Sequence, residues 1–370
     1  MTEQLTLEVR KDNWAETRVL REALPTELSE NEVLLKIDRQ ALTSNNITYA
    51  LAGDTLGYWG FFPTEEGWGR IPAMGWAEVI ESNHPEVQVG ERVWGWFPFS
   101  THLKILAGDI HATHIRDCSP HRAEYAPIYS QLDRASGNPI YDPAREDQDS
   151  LVRALFLTSW LVEDLLEVNE AYGAGACLIT SASSKTGIAL GNCLKNRGRL
   201  ASIGLTSPGN VAFCESLGCY DRVVTYDEIE SLDGSQALVM VDLAGSAEVR
   251  SRAHHHFGDN MKFSLLVGIT HYDETGSSDG FTVEEDLPGA TPEFFFAPGH
   301  VQTRSAELGA AELMRRLTEA YVGFRQFSDG WLRIEESIGP EAVEQTYQAV
   351  LAGKTDPASG QILSMEQRFI

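Results

Sequence analysis

The spacing of apolar residues changes character partway along the chain. Residues 1 to about 120 read as β-rich. "NEVLLKID" (31–38) and "GWAEVIES" (75–82) have strand character, and "VQVGERVWGWFPF" (87–99) sets a Gly-Glu turn ahead of an aromatic and β-branched run. Prolines and glycines punctuate this stretch every few residues, and no long helical period precedes Tyr49. "ASGNPIYDPAREDQDS" (135–150) is polar and reads as a surface connection. A helix is expected over 150–169, where apolar residues recur at helical spacing, with Ser150 as its cap.

From Cys177 onward, short apolar runs alternate with helical patterns. "CLIT", "RLASIGL", "DRVVTY", "ALVMVDLAG" (237–245) and "FSLLVGITH" (263–271) read as strands. "KTGIALGNCLKNRG", "NVAFCESLG" and "AEVRSRAHHHFG" read as helices between them. This order predicts a parallel, doubly wound sheet with helices on both faces. "YDETGSSDGFTVEEDLPGATPE" (272–293) is an acidic, glycine-rich insert expected on the surface. A long amphipathic helix is expected at about 305–326, a second at 339–354, and a closing strand in "QILSMEQRF".

With 370 residues, two domains are the expectation. The hydrophobic share of 42% is enough for a large core. A formal net charge of −25 argues against nucleic acid or an anionic membrane as partner. Cys118, Cys177, Cys193, Cys214 and Cys219 make an odd set without a CxxC, which fits a reduced, cytoplasmic chain. Neither a signal peptide nor a membrane span is expected.

The acidic balance makes any cation beside a loop informative. "LITSASSKTGIALGN" (178–192) has the shape of a strand, a tight turn and a helix whose N-terminus can face a phosphate. Ser183 and Ser184 are good N-cap residues. Lys185 falls in the first helical turn, where the helix dipole disfavours a cation unless an anion is bound. The plainer alternative is a serine cap with Lys185 in water. The loop is not a P-loop, because Lys185-Thr186 follows Ser184 rather than glycine. The second strand ends "IGLTSPGN" (203–210) without an acid to hold a ribose 2′-hydroxyl. Thr206, Ser207 and backbone amides there favour NADP(H) over NAD(H).

The whole arrangement resembles the medium-chain dehydrogenase/reductase superfamily, most closely its zinc-free quinone and enoyl reductase branches. "ALTSNNITYALAG" (41–53) carries Tyr49 and Gly53 at the family's places, with Ile47 at its Asp position and Ser44 at its Asn position. In "PAMGWAEVIESNHPEVQVGERVWGW" (72–96), Gly90, Arg92 and Val93 fit the family's Gly-Asp-Arg-Val turn. Gly75-Trp76-Ala77 stands where zinc members have Gly-His-Glu. "LTSW" (157–160), with Thr158, resembles the helix turn near the nicotinamide. "AVEQTYQAVLAGKTDPASGQIL" (342–363) resembles the closing helix and strand; with "EFFFAPGHV" it suggests a bacterial branch of unknown function.

The resemblance implies an α/β fold. A GroES-like β-domain (1–150 and 330–370) would carry an inserted Rossmann domain (151–329), with the active site in the cleft between them. Aligned to the family's Gly-x-x-Gly-x-x-Gly turn, the three places hold Ser181, Ser184 and Gly187. These, with Lys185, would hold the pyrophosphate, and Thr186 and Gly204 are further cofactor-binding candidates. Asp242 and Gly245 match a strand-end Asp-x-x-Gly, and Gly268 and Thr270 end a strand where the nicotinamide is expected. Tyr49 is the candidate proton donor, with a packed tyrosine as its alternative.

The function this implies is a zinc-independent, NADP(H)-linked oxidoreductase for a small α,β-unsaturated carbonyl or quinone, working as a homodimer. A non-enzymatic descendant that binds nucleotide or a partner protein is the second reading. "LGYWGFFP" (56–63) and "EFFFAP" suit an apolar pocket or a core equally. His111, His114, Cys118 and His121 form a metal-like cluster, but H-x-x-H followed by C-x-x-H is not a closed zinc pattern, and no metal is expected. His254-His255-His256 reads as an exposed helix face, and hydrolase motifs are absent.

Overall fold

The computed structural model of the protein describes residues 3–267 and 287–366. The chain forms two compact units, Met1–Leu151 with Arg333–Ile370, and Val152–Leu332.

In the first unit, Glu32–Leu42 is the strand that closes the sheet. It pairs with Pro72–Ser82 on one side and with His102–Gly108 on the other. Arg92–Pro98, Gln131–Arg134 and His114–Asp117 complete the circuit between those two. Six strands thus make a barrel without a free edge. Val33, Leu35, Ile37, Val79, Val93, Phe97 and Ile105 fill it from alternating positions. Ser359–Ser364 adds to the end of Glu32–Leu42, and Arg333–Ile338 adds to it in turn. A smaller antiparallel sheet pairs Glu3–Arg10 with Asn13–Ala23 and Trp68–Gly69.

The second unit is built on six parallel strands. Their spatial order is Arg222–Thr225, Ala201–Thr206, Ala176–Ile179, Leu238–Asp242, Met261–Leu266 and Glu293–Phe294. Numbered within the unit this is 3-2-1-4-5-6, the doubly wound dinucleotide-binding order. Ala176–Ile179 is buried throughout, as a central parallel strand must be. The α/β class, with a GroES-like barrel and a Rossmann sheet, is therefore the fold of this chain.

Two helix boundaries differ from the sequence reading. The helix expected over 150–169 starts earlier and spans Glu146–Val168. Ser150 is not its cap: its hydroxyl donates to the Glu146 carbonyl at 2.8 Å from inside the helix. The long helix expected at about 305–326 is two helices, Ala297–Leu308 and Ala310–Ser328. Gly309 separates them at φ 83°, which breaks the ladder.

Candidate functional site

The turn after Ala176–Ile179 is held at nearly every polar atom by the protein itself. Ser181 adopts φ 49°, the left-handed region where glycine is the usual choice. Its N–H donates to the Tyr226 phenol oxygen at 3.0 Å. The Ala182 N–H donates to the Leu205 carbonyl at 2.9 Å, and the Tyr220 hydroxyl donates to the Ala182 carbonyl at 2.8 Å. Asn210 Nδ2 donates to Ser183 Oγ at 3.1 Å. Two tyrosines and an asparagine from the second and third strand ends therefore hold a serine-rich turn in the shape a glycine-rich turn would take.

Ser184 is the N-cap of the helix Lys185–Arg197, and its Oγ accepts from Gly187 N at 3.0 Å. The cap expected from the sequence is thus Ser184 rather than Ser183. A Cβ on Gly187 would lie 2.6 Å from the Ser181 carbonyl oxygen, so only glycine lets the helix sit this close to the turn. Gly204 is required for the same reason: its Cβ would stand 2.8 Å from that of Ala182. Ser183, Ser184, Lys185 and Thr186 remain half-buried and form the open rim. No acidic residue lies in the first turn of this helix.

Beneath the rim lies a second polar layer. Asp242, at the end of its strand, accepts from Thr180 Oγ1 at 2.8 Å and from the Ala244 and Gly245 amides at 3.0 Å each. Arg250 Nη1 is 3.1 Å from its other oxygen, and both side chains are fully buried. Thr180 Oγ1 accepts in turn from Leu243 and Ala244 N at 2.8 and 2.9 Å. Asp242 and Gly245 (φ 68°) thus shape the turn next to the loop, and the Asp242 carboxylate is committed to the protein.

Other expected residues separate in the structure. Thr206 is buried at the end of its strand and does not face solvent as a phosphate ligand would; Ser207, one residue on, is exposed. Ser207 lies one residue past the strand, where the chain leaves the buried sheet. Beside Thr206, burial pushes the Cys214 thiol up to about 11. Thr158 is half-buried and donates within its own helix to Ala154 at 3.4 Å. Its neighbour Ser159 reaches the loop, with Oγ 2.8 Å from the Thr186 carbonyl. Gly268 and Thr270 lie outside the described residues.

Tyr49 belongs to the first unit, on the short helix Ser44–Leu51. Asn46 anchors that helix, its Oδ1 accepting from Thr43 N at 2.8 Å and its Nδ2 donating to the Pro72 carbonyl at 2.9 Å. Asn45 Nδ2 donates to the Tyr49 phenol oxygen. The Tyr49 ring packs on Tyr58 at 4.9 Å and Trp96 at 5.1 Å. Tyr58 and Phe61 extend the cluster to Tyr129 and Tyr125. Burial, and then the facing Tyr129, hold the Tyr49 phenol well above its ordinary range, so it keeps its proton at neutral pH. Trp76, where zinc members of the family have histidine, is buried and donates through Nε1 to the Glu146 carbonyl at 3.1 Å.

Tyr226, Tyr220, Asn210, Ser159 and Arg250 are absent from the sequence-derived list. Tyr226 had a readable signal: it is the residue just past the third strand, and ligands gather at strand C-terminal ends. His111 and His114 do come together, but with Asp109 rather than with Cys118 or His121.

Solved structures share this architecture at low identity. CurA from Vibrio vulnificus in complex with NADPH matches with TM-score 0.64 and 13% identity over 99% of this chain and 100% of that one. A mutant form of enoyl thioester reductase from Candida tropicalis matches at 0.58 and 14%, over 98% and 100%. Mycobacterial Rv1454c complexed with NADPH matches at 0.60 and 14%, over 98% and 99%. These likenesses establish the medium-chain reductase fold. No curated protein matches the chain. Residues 40–356 match one family through the barrel, the loop and the paired C-terminal helices, and the chain belongs to that family, described as protein of unknown function DUF2855.

Proposed function

We propose that the protein is an NADP(H)-linked oxidoreductase that reduces a small α,β-unsaturated carbonyl or quinone without a catalytic zinc. The observation that carries this is the rim Ser183–Thr186, held on a helix N-terminus with a lysine and no acid. The donor set fits a pyrophosphate. Ser184 Oγ accepts from Gly187 and keeps its own proton to donate. The Tyr226 phenol accepts from Ser181 N and holds the turn beneath that donor. Lys185 adds positive charge. At the second strand end, exposed Ser207 replaces Thr206 as the residue proposed to meet a 2′-phosphate.

When bound, the reduced nicotinamide supplies the hydride for the activated alkene or quinone. The chain's part is to fix the pyrophosphate and to stabilise charge that develops on the substrate oxygen. Tyr49, proton-bearing and with Asn45 donating to its oxygen, is the proposed donor to that oxygen. Trp76 gives no metal ligand in place of histidine, which supports chemistry without a catalytic zinc. NADPH-bound neighbours of the same fold support the cofactor assignment.

The internal satisfaction of the loop favours a second reading, a descendant that keeps the fold and has given up turnover. Fluorescence titration with NADPH and NADH separates the two. The reductase reading expects tighter NADPH binding, at least about tenfold weaker in Lys185→Glu, and oxidation of bound NADPH by enones or quinones. Binding without oxidation supports the second reading, and no binding at about millimolar nucleotide removes the first.

A further inference from the structure

The turn between the barrel strands His102–Gly108 and His114–Asp117 gathers three metal-ligating side chains far from the groups used above in sequence and chemistry. Asp109 Oδ1 lies 3.1 Å from His111 Nε2. The His111 and His114 rings face each other at 4.5 Å with 30° between their planes. One ligand atom from each of Asp109, His111 and His114 falls within 4.8 Å of the others. We infer that this turn is a binding site for a divalent transition-metal ion, held by Asp109, His111 and His114.

The backbone prearranges the three donors. His111 N donates to the His114 carbonyl at 2.8 Å, which closes the turn and brings the imidazoles to one side. Asp109 sits at φ 46°, a left-handed conformation that aspartate tolerates, and from there its carboxylate meets His111. Thr113 Oγ1 stands 3.1 Å from His114 Nδ1 and orients that ring, as outer partners orient ligating histidines. Asp133 faces His114 across the strand pair. Arg116 approaches the other oxygen of Asp109 at 3.9 Å and leaves Oδ1 to the cation.

The chemistry selects the ion class. Two imidazoles and one carboxylate suit zinc, cobalt, nickel or copper rather than magnesium or calcium, which take oxygen ligands. Ligand atoms around tetrahedral zinc are roughly 3.3 Å apart, given bonds near 2.0–2.1 Å. Small side-chain rotations bring donors already within 4.8 Å to that spacing. Three protein ligands leave a position for water. The sequence pattern pointed away from this site because it sought Cys118 and His121 as partners; the third ligand is Asp109, one residue beyond the strand end.

The test is titration of the chelator-treated full chain with Co²⁺, read by visible d–d absorption, followed by competition with Zn²⁺. One equivalent is expected, displaced by Zn²⁺, with affinity reduced at least about tenfold in His111→Ala and in His114→Ala. Cys118→Ser and His255→Ala are expected to bind as the parent does. Zn²⁺ should raise the melting temperature of the parent and not of the His111→Ala/His114→Ala double variant. These side chains lie on an exposed turn, and circular dichroism checks that the variants fold. Equal Co²⁺ binding by parent and double variant, or no saturable binding by about millimolar metal, overturns the assignment. So does a thiolate charge-transfer band that vanishes in Cys118→Ser, since it would put a different ligand set in place.

Discussion

The two units use tyrosine in opposite ways. In the parallel unit, Tyr226 and Tyr220 spend their hydroxyls on the backbone of one turn, at Ser181 N and the Ala182 carbonyl. In the barrel unit, Tyr49, Tyr58 and Tyr129 face one another, and burial keeps their phenols protonated. The first arrangement fixes a backbone that lacks its usual glycines. The second packs phenol rings against one another in a largely apolar setting. One residue type thus serves loop shape in one unit and aromatic packing in the other, and the difference lies in whether a backbone partner is within reach.

The sharpest way to break this contrast is to undo the layer beneath the loop. Arg250→Ala leaves the Asp242 carboxylate buried without its guanidinium. A loss of about 3–5 kcal/mol is expected in urea denaturation, the cost of a buried charge stripped of its partner. The barrel unit should be unaffected in hydrogen exchange if the two settings are independent. Gly187→Val comes next. Its Cβ would stand 2.6 Å from the Ser181 carbonyl oxygen, and backbone cannot rotate away as a side chain can. About 1–3 kcal/mol of destabilisation is expected by the same method, with loss of NADPH binding in the fluorescence titration.

The contrast also shows what a sequence can and cannot carry. The strand–turn–helix shape at 176–197, the parallel order and Gly187 were legible because apolar periodicity and a helix-packing glycine are local signals. Ser184 as cap was legible for the same reason. Thr206 and Ser207 read together as candidates for a 2′-phosphate; Thr206 is buried within its strand and Ser207 lies exposed just beyond it. Tyr220 and Asn210 were not legible at all. They reach the loop from 27 or more residues away, and only the parallel pairing of the strands brings them there. Gly309 divides the helical stretch near the start of the expected range, a break that helical periodicity does not register.

Tyr226→Phe tests the shape-serving tyrosine with a smaller change. It keeps the ring and removes the acceptor of Ser181 N, so the N–H of a buried residue loses that partner. About 1–3 kcal/mol of stability should go, and amide exchange at Ser181 should accelerate. If the loop instead held its shape and exchange were unchanged, the phenol would be present for a ligand and not for the backbone.

The smallest effect at neutral pH belongs to the barrel tyrosines, and pH makes it visible. Burial first, and then Tyr129, raise the phenol pKa of both Tyr49 and Tyr58 above the ordinary value near 10. In the unfolded chain these phenols return to that ordinary value. The folded state therefore binds more protons than the unfolded state once pH exceeds about 10, and stability must fall as pH rises. Below that pH their contribution is full. Parent and Tyr49→Phe/Tyr58→Phe should thus differ little in urea midpoint at pH 7, and the parent should lose stability more steeply above pH 10. A parallel pH dependence in the two proteins would mean that these phenols ionise as freely in the barrel as in water.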